Sequence, residues 1–219
     1  MRATLVIAAM LSASACGGHA PVPKRGVVEH DLGSWHFRRF QPLLDVEVWI
    51  EGNKAEAFTA SYVAADAEAR GRIEDKDIVN VFVTRYASDD GVVRATVKLA
   101  RRLAAEGGYQ VDEDKIAGAR TISISGHGES WVMWPAKLHV VKVGGRNRDG
   151  VPKSVIAQYA DRYPSDLPGG ALEGALPPGP DGPPKPGDAK PEYDPNNPRP
   201  DLEHYDPKKV TLPAHKDDK

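Results

Sequence analysis

The sequence predicts a domain of the α+β (or α/β) class. It reads as a two-layer sandwich, with helices packed on a mixed sheet of about four to six strands, followed by a disordered, proline-rich C-terminal tail. Three observations carry this reading. Asp77 to Tyr86 (DIVNVFVTRY) sets branched and aromatic residues on both faces, the pattern of a covered central strand. Gly91 to Gly108 (GVVRATVKLARRLAAEGG) has apolar residues at helical spacing and ends on two glycines. Ala119 to Ser125 (ARTISIS) and Ser130 to Trp134 (SWVMW) flank GHGE, a turn of hairpin length.

Taken along the chain, the first element is Asp45 to Ile50 (DVEVWI), where Val46, Val48 and Ile50 alternate onto one face of a strand. Asn53 and Glu56 then form a capping pair before alanine-rich sequence that runs to Arg70 and stops at Gly71. Phe58, Tyr62, Ala65 and Ala69 share one face of that helix; a hairpin also fits here, but the alanine content favours helix. The central strand 77–86 follows. Asp89 or Asp90 caps the next helix, whose buried face is Val93, Val97, Ala100 and Ala104 and whose stop is Gly107-Gly108. Beyond the hairpin and Pro135, Lys137 to Val143 (KLHVVKV) extends it or adds a strand. Val151 to Tyr163 reads as a short helix opened by Pro152 and anchored by Ile156 and Tyr159. In this β-α-β-α-β-β-(β)-α order, the two β-α-β passages are right-handed if they join parallel strands.

Composition changes sharply after Tyr163. Fourteen of the 19 prolines lie between Pro164 and Lys219, with few large aliphatic residues among them. Such a segment buries too little apolar surface to offset its chain entropy, so residues 164–219 are expected to be a disordered, partly polyproline-II tail. Tyr-Asp-Pro occurs at 193–195 and again at 205–207, too few copies for a repeat architecture. The globular domain is expected over residues 31–163.

The N-terminus carries a different signal. Met1 and Arg2 precede the apolar run Ala3 to Leu11, and Ser12 to Ala15 (SASA) supplies small residues, the layout of a secretory leader over residues 1–15. The run is well short of the roughly 20 apolar residues of a permanent membrane span. Two cleavage readings fit. Ala13-Ser14-Ala15 matches the ordinary A-x-A site, which releases a soluble chain starting at Cys16. ASAC (13–16) also resembles the lipobox of bacterial lipoproteins, with Ala13 where that family usually has leucine. Cys16 is the one cysteine of 219 residues and stands where the resemblance requires it; an unpaired thiol is otherwise awkward in an oxidising compartment. The resemblance implies diacylglyceryl modification of Cys16, a linker over 16–30 and a place in the cell envelope. Gly17, where aspartate often signals inner-membrane retention, leans to the periplasmic face of the outer membrane if the cell is Gram-negative.

Chemistry-bearing motifs are sparse. The formal charge is −2, and losing Arg2 with the leader makes it −3, which gives no basic footprint for nucleic acid. The seven histidines (19, 30, 36, 127, 139, 204, 215) form no ligand pair, so neither a metal nor a cofactor is expected. No G-x-S-x-G surrounds Ser123, Ser125 or Ser130, and GGRNRDG (144–150) lacks a P-loop pattern and reads as a turn. His127 and Glu129 share the GHGE turn; an imidazole beside a carboxylate is the one weak candidate site, and solvated turn residues are the ordinary alternative. The 92–106 helix displays Arg94, Lys98, Arg101 and Arg102, a solvated cationic face or one that rests on anionic head groups. Trp35, Trp49, Trp131 and Trp134 are expected mainly in the core, or exposed for stacking on sugars. The expected function is a lipid-anchored, non-catalytic envelope module. Its partner would be an envelope protein or glycan, met by the tail or an exposed domain face. An envelope hydrolase acting at His127 and Glu129 is the alternative.

Overall fold

A computed structural model of the chain describes residues 19–177. Cys16, the leader and the greater part of the proposed tail lie outside the described residues. The element order is β1 (Trp35–Leu43), β2 (Ala55–Ala64), α1 (Ala65–Ala69), β3 (Ile78–Tyr86), α2 (Val92–Glu106), β4 (Tyr109–Ile116), β5 (Ala119–Gly126), β6 (Glu129–Ala136), β7 (His139–Arg146) and α3 (Lys153–Arg162). A single 3-10 turn, Asp75–Asp77, precedes β3.

The seven strands form one sheet in the order β1-β2-β3-β7-β6-β5-β4, each antiparallel to its neighbours. The class is α+β, as the sequence predicts, but the sheet is larger than four to six strands and is not mixed. β1 to β3 meander inward from one edge. The chain then crosses by α2 to the far edge, and β4 to β7 meander back until β7 pairs with β3. Three of those returns are two-residue turns. Ala117 (φ 51°) and Gly118 (φ 85°) join β4 to β5, and His127 (φ 50°) and Gly128 (φ 75°) join β5 to β6. Positive φ at both central positions is what a type I′ hairpin requires. Lys137 (φ 49°) opens the third.

Side-chain alternation divides the interior in two. On one face Val79, Val81, Val83, Val132, Trp134, Val141 and Val143 pack with Val155, Ile156 and Tyr159 of α3 and with Val27 and Val28. On the other, Tyr86, Ile122, Ile124, Met133 and Val140 pack with Val92, Val97 and Ala100 of α2. Helices therefore cover both faces, and the two-layer expectation becomes three layers. The stripe of α2 is rotated from the expected one: Val92, Thr96, Val97 and Ala100 are buried, while Ala104 is exposed. Its cap is Gly91, with no side-chain cap from Asp89 or Asp90.

Three expectations fail for identifiable reasons. Residues 45–50 form a loop, not a strand; the alternation sends Val48 and Ile50 into the core while Trp49 faces solvent. The expected 53–70 helix is β2 followed by only five residues of helix, because β2 is paired along its length with both β1 and β3. Pairing on two sides outweighs the helix propensity of four alanines. β1 and β4 carry no clean alternation. A bulge between Phe37 and Arg39 lets Phe37 and Phe40 face the same core, and β4 is a charged edge strand (YQVDEDKI). GGRNRDG is not only a turn, since Gly144 to Arg146 belong to β7.

Both ends of the domain extend past the expected bounds of 31 and 163. Tyr159 Oη accepts the Val28 N–H (2.9 Å), while Tyr62 Oη donates to the Val28 carbonyl and Tyr163 Oη to that of Gly26. After α3, Leu167 and Ala171 are buried against the α2 side. Glu113 accepts the backbone N–H of Gly170 (2.9 Å) and Leu172 (2.5 Å), and Arg101 donates to the carbonyls of Ala171 and Gly174 (2.5 Å each). Residues 164–177 are thus a strap on the domain.

Candidate functional site

The sequence-predicted pair does not converge. His127 occupies the β5–β6 turn, and its ring stands edge-on against Tyr109 at 4.8 Å. Glu129 points elsewhere: Trp131 Nε1 donates to Oε2 (3.0 Å) and Arg146 Nε to Oε1 (3.0 Å). The Trp131 N–H, followed by the Arg146 guanidinium, holds the Glu129 carboxyl below the usual glutamate range. Among the described residues no hydrogen bond joins His127 to Glu129. A carboxylate already committed to an indole and a guanidinium is poorly placed to orient that imidazole. Among the described residues there is also no group of three potential metal ligands.

Glu129 instead belongs to a ladder of side chains on the α2 face of the sheet. Trp131 lies opposite Gly144, where a Cβ would come within 2.8 Å of the Trp131 ring. The missing side chain lets the indole lie across the strand, the glycine–aromatic pairing known from sheets. Its ring meets Phe82 at 5.5 Å and carries the Lys142 ammonium 4.2 Å from its centroid. Lys142 in turn donates to Glu47 Oε1 at 2.5 Å. Three strands and the 44–50 loop are joined in this way.

Beside the ladder lies a groove of about 260 Å³, walled by Leu43, Val46 and Val48 on one side and by Ala57, Phe82 and Val140 of the sheet on the other. Lys142, Asp45 and Glu47 stand at its polar margin. Thr59, on the same face of β2 as Ala57 and paired with Phe82, has its Oγ1 buried with no hydrogen-bond partner among the described residues. Of the four tryptophans, Trp35 and Trp134 are core, Trp131 is half-buried in the ladder, and Trp49 is 70% exposed on the loop. Sequence reasoning missed Phe82, Lys142 and the loop. The signal lay in β7, where Lys142 interrupts a valine run, but nothing local ties it to Glu47 or Trp131.

A wider trough of about 780 Å³ lies between α2, β4 and the strap. Of its charged lining groups, Arg101 and Glu113 are spent on the chain's own backbone, and Asp112 accepts from Gln110 Nε2 (2.8 Å). The cationic face of α2 is similarly engaged: Arg94 donates to the Pro177 carbonyl (3.0 Å) and Arg102 pairs with Glu106 (3.3 Å). No family model, curated protein or solved structure matches this chain.

Proposed function

We propose that this chain is a lipid-anchored, non-catalytic binding module of the cell envelope, tethered at Cys16, and that its ligand site is the groove between the 44–50 loop and β2, β3 and β7. One observation carries the site: an apolar cleft with a fixed ammonium at its margin and a partnerless threonine hydroxyl nearby on the same sheet face. Apolar walls with a few placed polar groups are the general form of binding sites. The groove suits a small apolar group with a hydrogen-bonding end, presented by an envelope protein or glycan. Two variants test this in cells lacking the native gene. Val46→Asp, which puts a carboxylate into the groove wall, is expected to reproduce the deletion phenotype while the melting midpoint stays within a few degrees. The His127→Ala/Glu129→Ala double variant is expected to complement. The reverse pair of results would sink the binding reading and return the function to the β5–β6 turn. Mass spectrometry of the mature N-terminus checks the anchor, with a diacylglyceryl adduct on Cys16 as the expected result.

A further inference from the structure

We infer that Leu44 and Trp49 form a membrane-contact loop, so that the domain meets the lipid surface at two points, the acylated N-terminus and the 44–50 loop. This rests on the lipid-anchor reading of Cys16.

The first support is where the tether arrives. His19 Nδ1 lies 3.6 Å from Asp161, and the Ala20 N–H donates to the same carboxylate at 3.3 Å. Three peptide steps separate Cys16 from His19, so the chain can carry the lipid attachment point no further than ~11 Å from the His19 Cα, which itself stands beside the last turn of α3. The second support is topological. Trp134 Nε1 donates to the carbonyl of Tyr163, the residue that closes α3 (2.8 Å), and the Asp166 N–H to that of Pro135 (2.9 Å), which places the end of α3 near the β6–β7 turn. Antiparallel pairing puts the C-terminal ends of β1, β3, β4 and β6 together at that end of the sheet. The 44–50 loop leaves β1 there. It lies over β2, β3 and β7, and β3 is three strand spacings, ~15 Å, from β5, beside which the tether enters. The tether and the loop therefore share one end of the sheet, the tether on the α3 face and the loop on the α2 face.

The third support is chemical. Leu44 is fully exposed, and Trp49 is 70% exposed although Val48 and Ile50 on either side of it are buried. Exposed tryptophan and leucine suit the boundary between head groups and acyl chains, where the indole keeps its N–H wet. The flanking Asp45, Glu47 and Glu51 make attraction to anionic lipid an unsuitable source of binding. The contact is thus apolar insertion, and anionic lipid should weaken it rather than strengthen it.

The chain isolated from bacterial membranes is reconstituted in phosphatidylcholine vesicles, with and without phosphatidylglycerol, containing acyl-chain-brominated lipid. Tryptophan emission is expected to shift to the blue and to be quenched, no more strongly with phosphatidylglycerol than without it, with the shift and most of the quenching lost in Trp49→Phe and weakened in Leu44→Ser. If the isolated chain carries no lipid and does not float with vesicles, the anchor reading fails; the single thiol of Cys16 is then coupled to a maleimide-bearing lipid and the quenching is measured again. Flotation or coupling without Trp49 quenching overturns the inference while leaving the anchor intact. Shielding of Trp49 from aqueous iodide in the absence of vesicles overturns it as well, since a second copy or another part of the chain would then cover the loop.

Discussion

His139 shows how a single side chain sets a solution property. It opens β7 with its ring 5.0 Å from that of Tyr163. Burial, reinforced by the nearby Arg85 guanidinium, holds it below its ordinary value of 6.5. Between the depressed value and 6.5 the unfolded chain binds a proton that the folded domain refuses, so stability rises with pH across that window. The contribution is complete above about pH 7 and is lost as pH falls through 6.5 toward the folded value. Asp77, held low by the backbone N–H of Glu74 and by Arg70, and Glu129, held low by Trp131 and Arg146, act further down. Their contributions are present above the ordinary carboxylate range and vanish as pH falls through their folded values. Thermal melting from about pH 7.5 to about pH 5 should therefore show a falling midpoint, and His139→Gln should flatten that upper part of the curve. A slope unchanged in the variant would assign the effect to other groups.

At the scale of the element, the meander is governed by its turns. β4, β5, β6 and β7 each span eight residues, and two residues separate each from the next. Such short returns leave the right-handed twist of the strands no other accommodation than positive φ. Gly118 and Gly128 adopt it freely, whereas Ala117 at φ 51° is strained by its Cβ. Ala117 is exposed, and Asn tolerates this region by local hydrogen bonding. Ala117→Asn should accordingly stabilise the domain by about 1 kcal/mol, read as a higher urea midpoint at unchanged slope. A lower midpoint would mean that the turn is held by contacts that the alanine alone allows. The GHGE hairpin was legible because a glycine marks its turn. The β6–β7 turn, Lys137-Leu138, carries no such mark, and the sequence leaves open whether 137–143 is a separate strand.

For the whole molecule, the two ends of the described chain close the two cores. Val27 and Val28 are buried under the Tyr62, Tyr159 and Tyr163 hydroxyls on the α3 side, and burial raises all three phenols well above the usual tyrosine value. On the α2 side, Leu167 and Ala171 complete the packing. A boundary drawn at the composition change after Tyr163 therefore cuts through the domain. Leu167→Ala should cost about 2–4 kcal/mol, the usual range for a buried leucine, and a chain ended after Tyr163 should lose at least as much. An unchanged melting midpoint for both would show the strap to be dispensable.

What the sequence determined by itself are the segments whose evidence is local. β3 announces itself by branched residues on both faces, α2 by its period and its Gly107-Gly108 stop, the β5–β6 hairpin by GHGE, and α3 by Pro152 with Ile156 and Tyr159. The tertiary structure decided the rest, because backbone pairing between distant residues competes with local preference and wins. It made the alanine-rich 55–64 stretch a strand between β1 and β3, and it hid β1 behind a bulge that breaks the alternation. The same holds for the site. His127 and Glu129 are two residues apart in the chain, yet the pleat and the turn send them to different partners. Glu47, Phe82, Trp131 and Lys142 lie far apart in sequence and meet only because β7 returns to pair with β3.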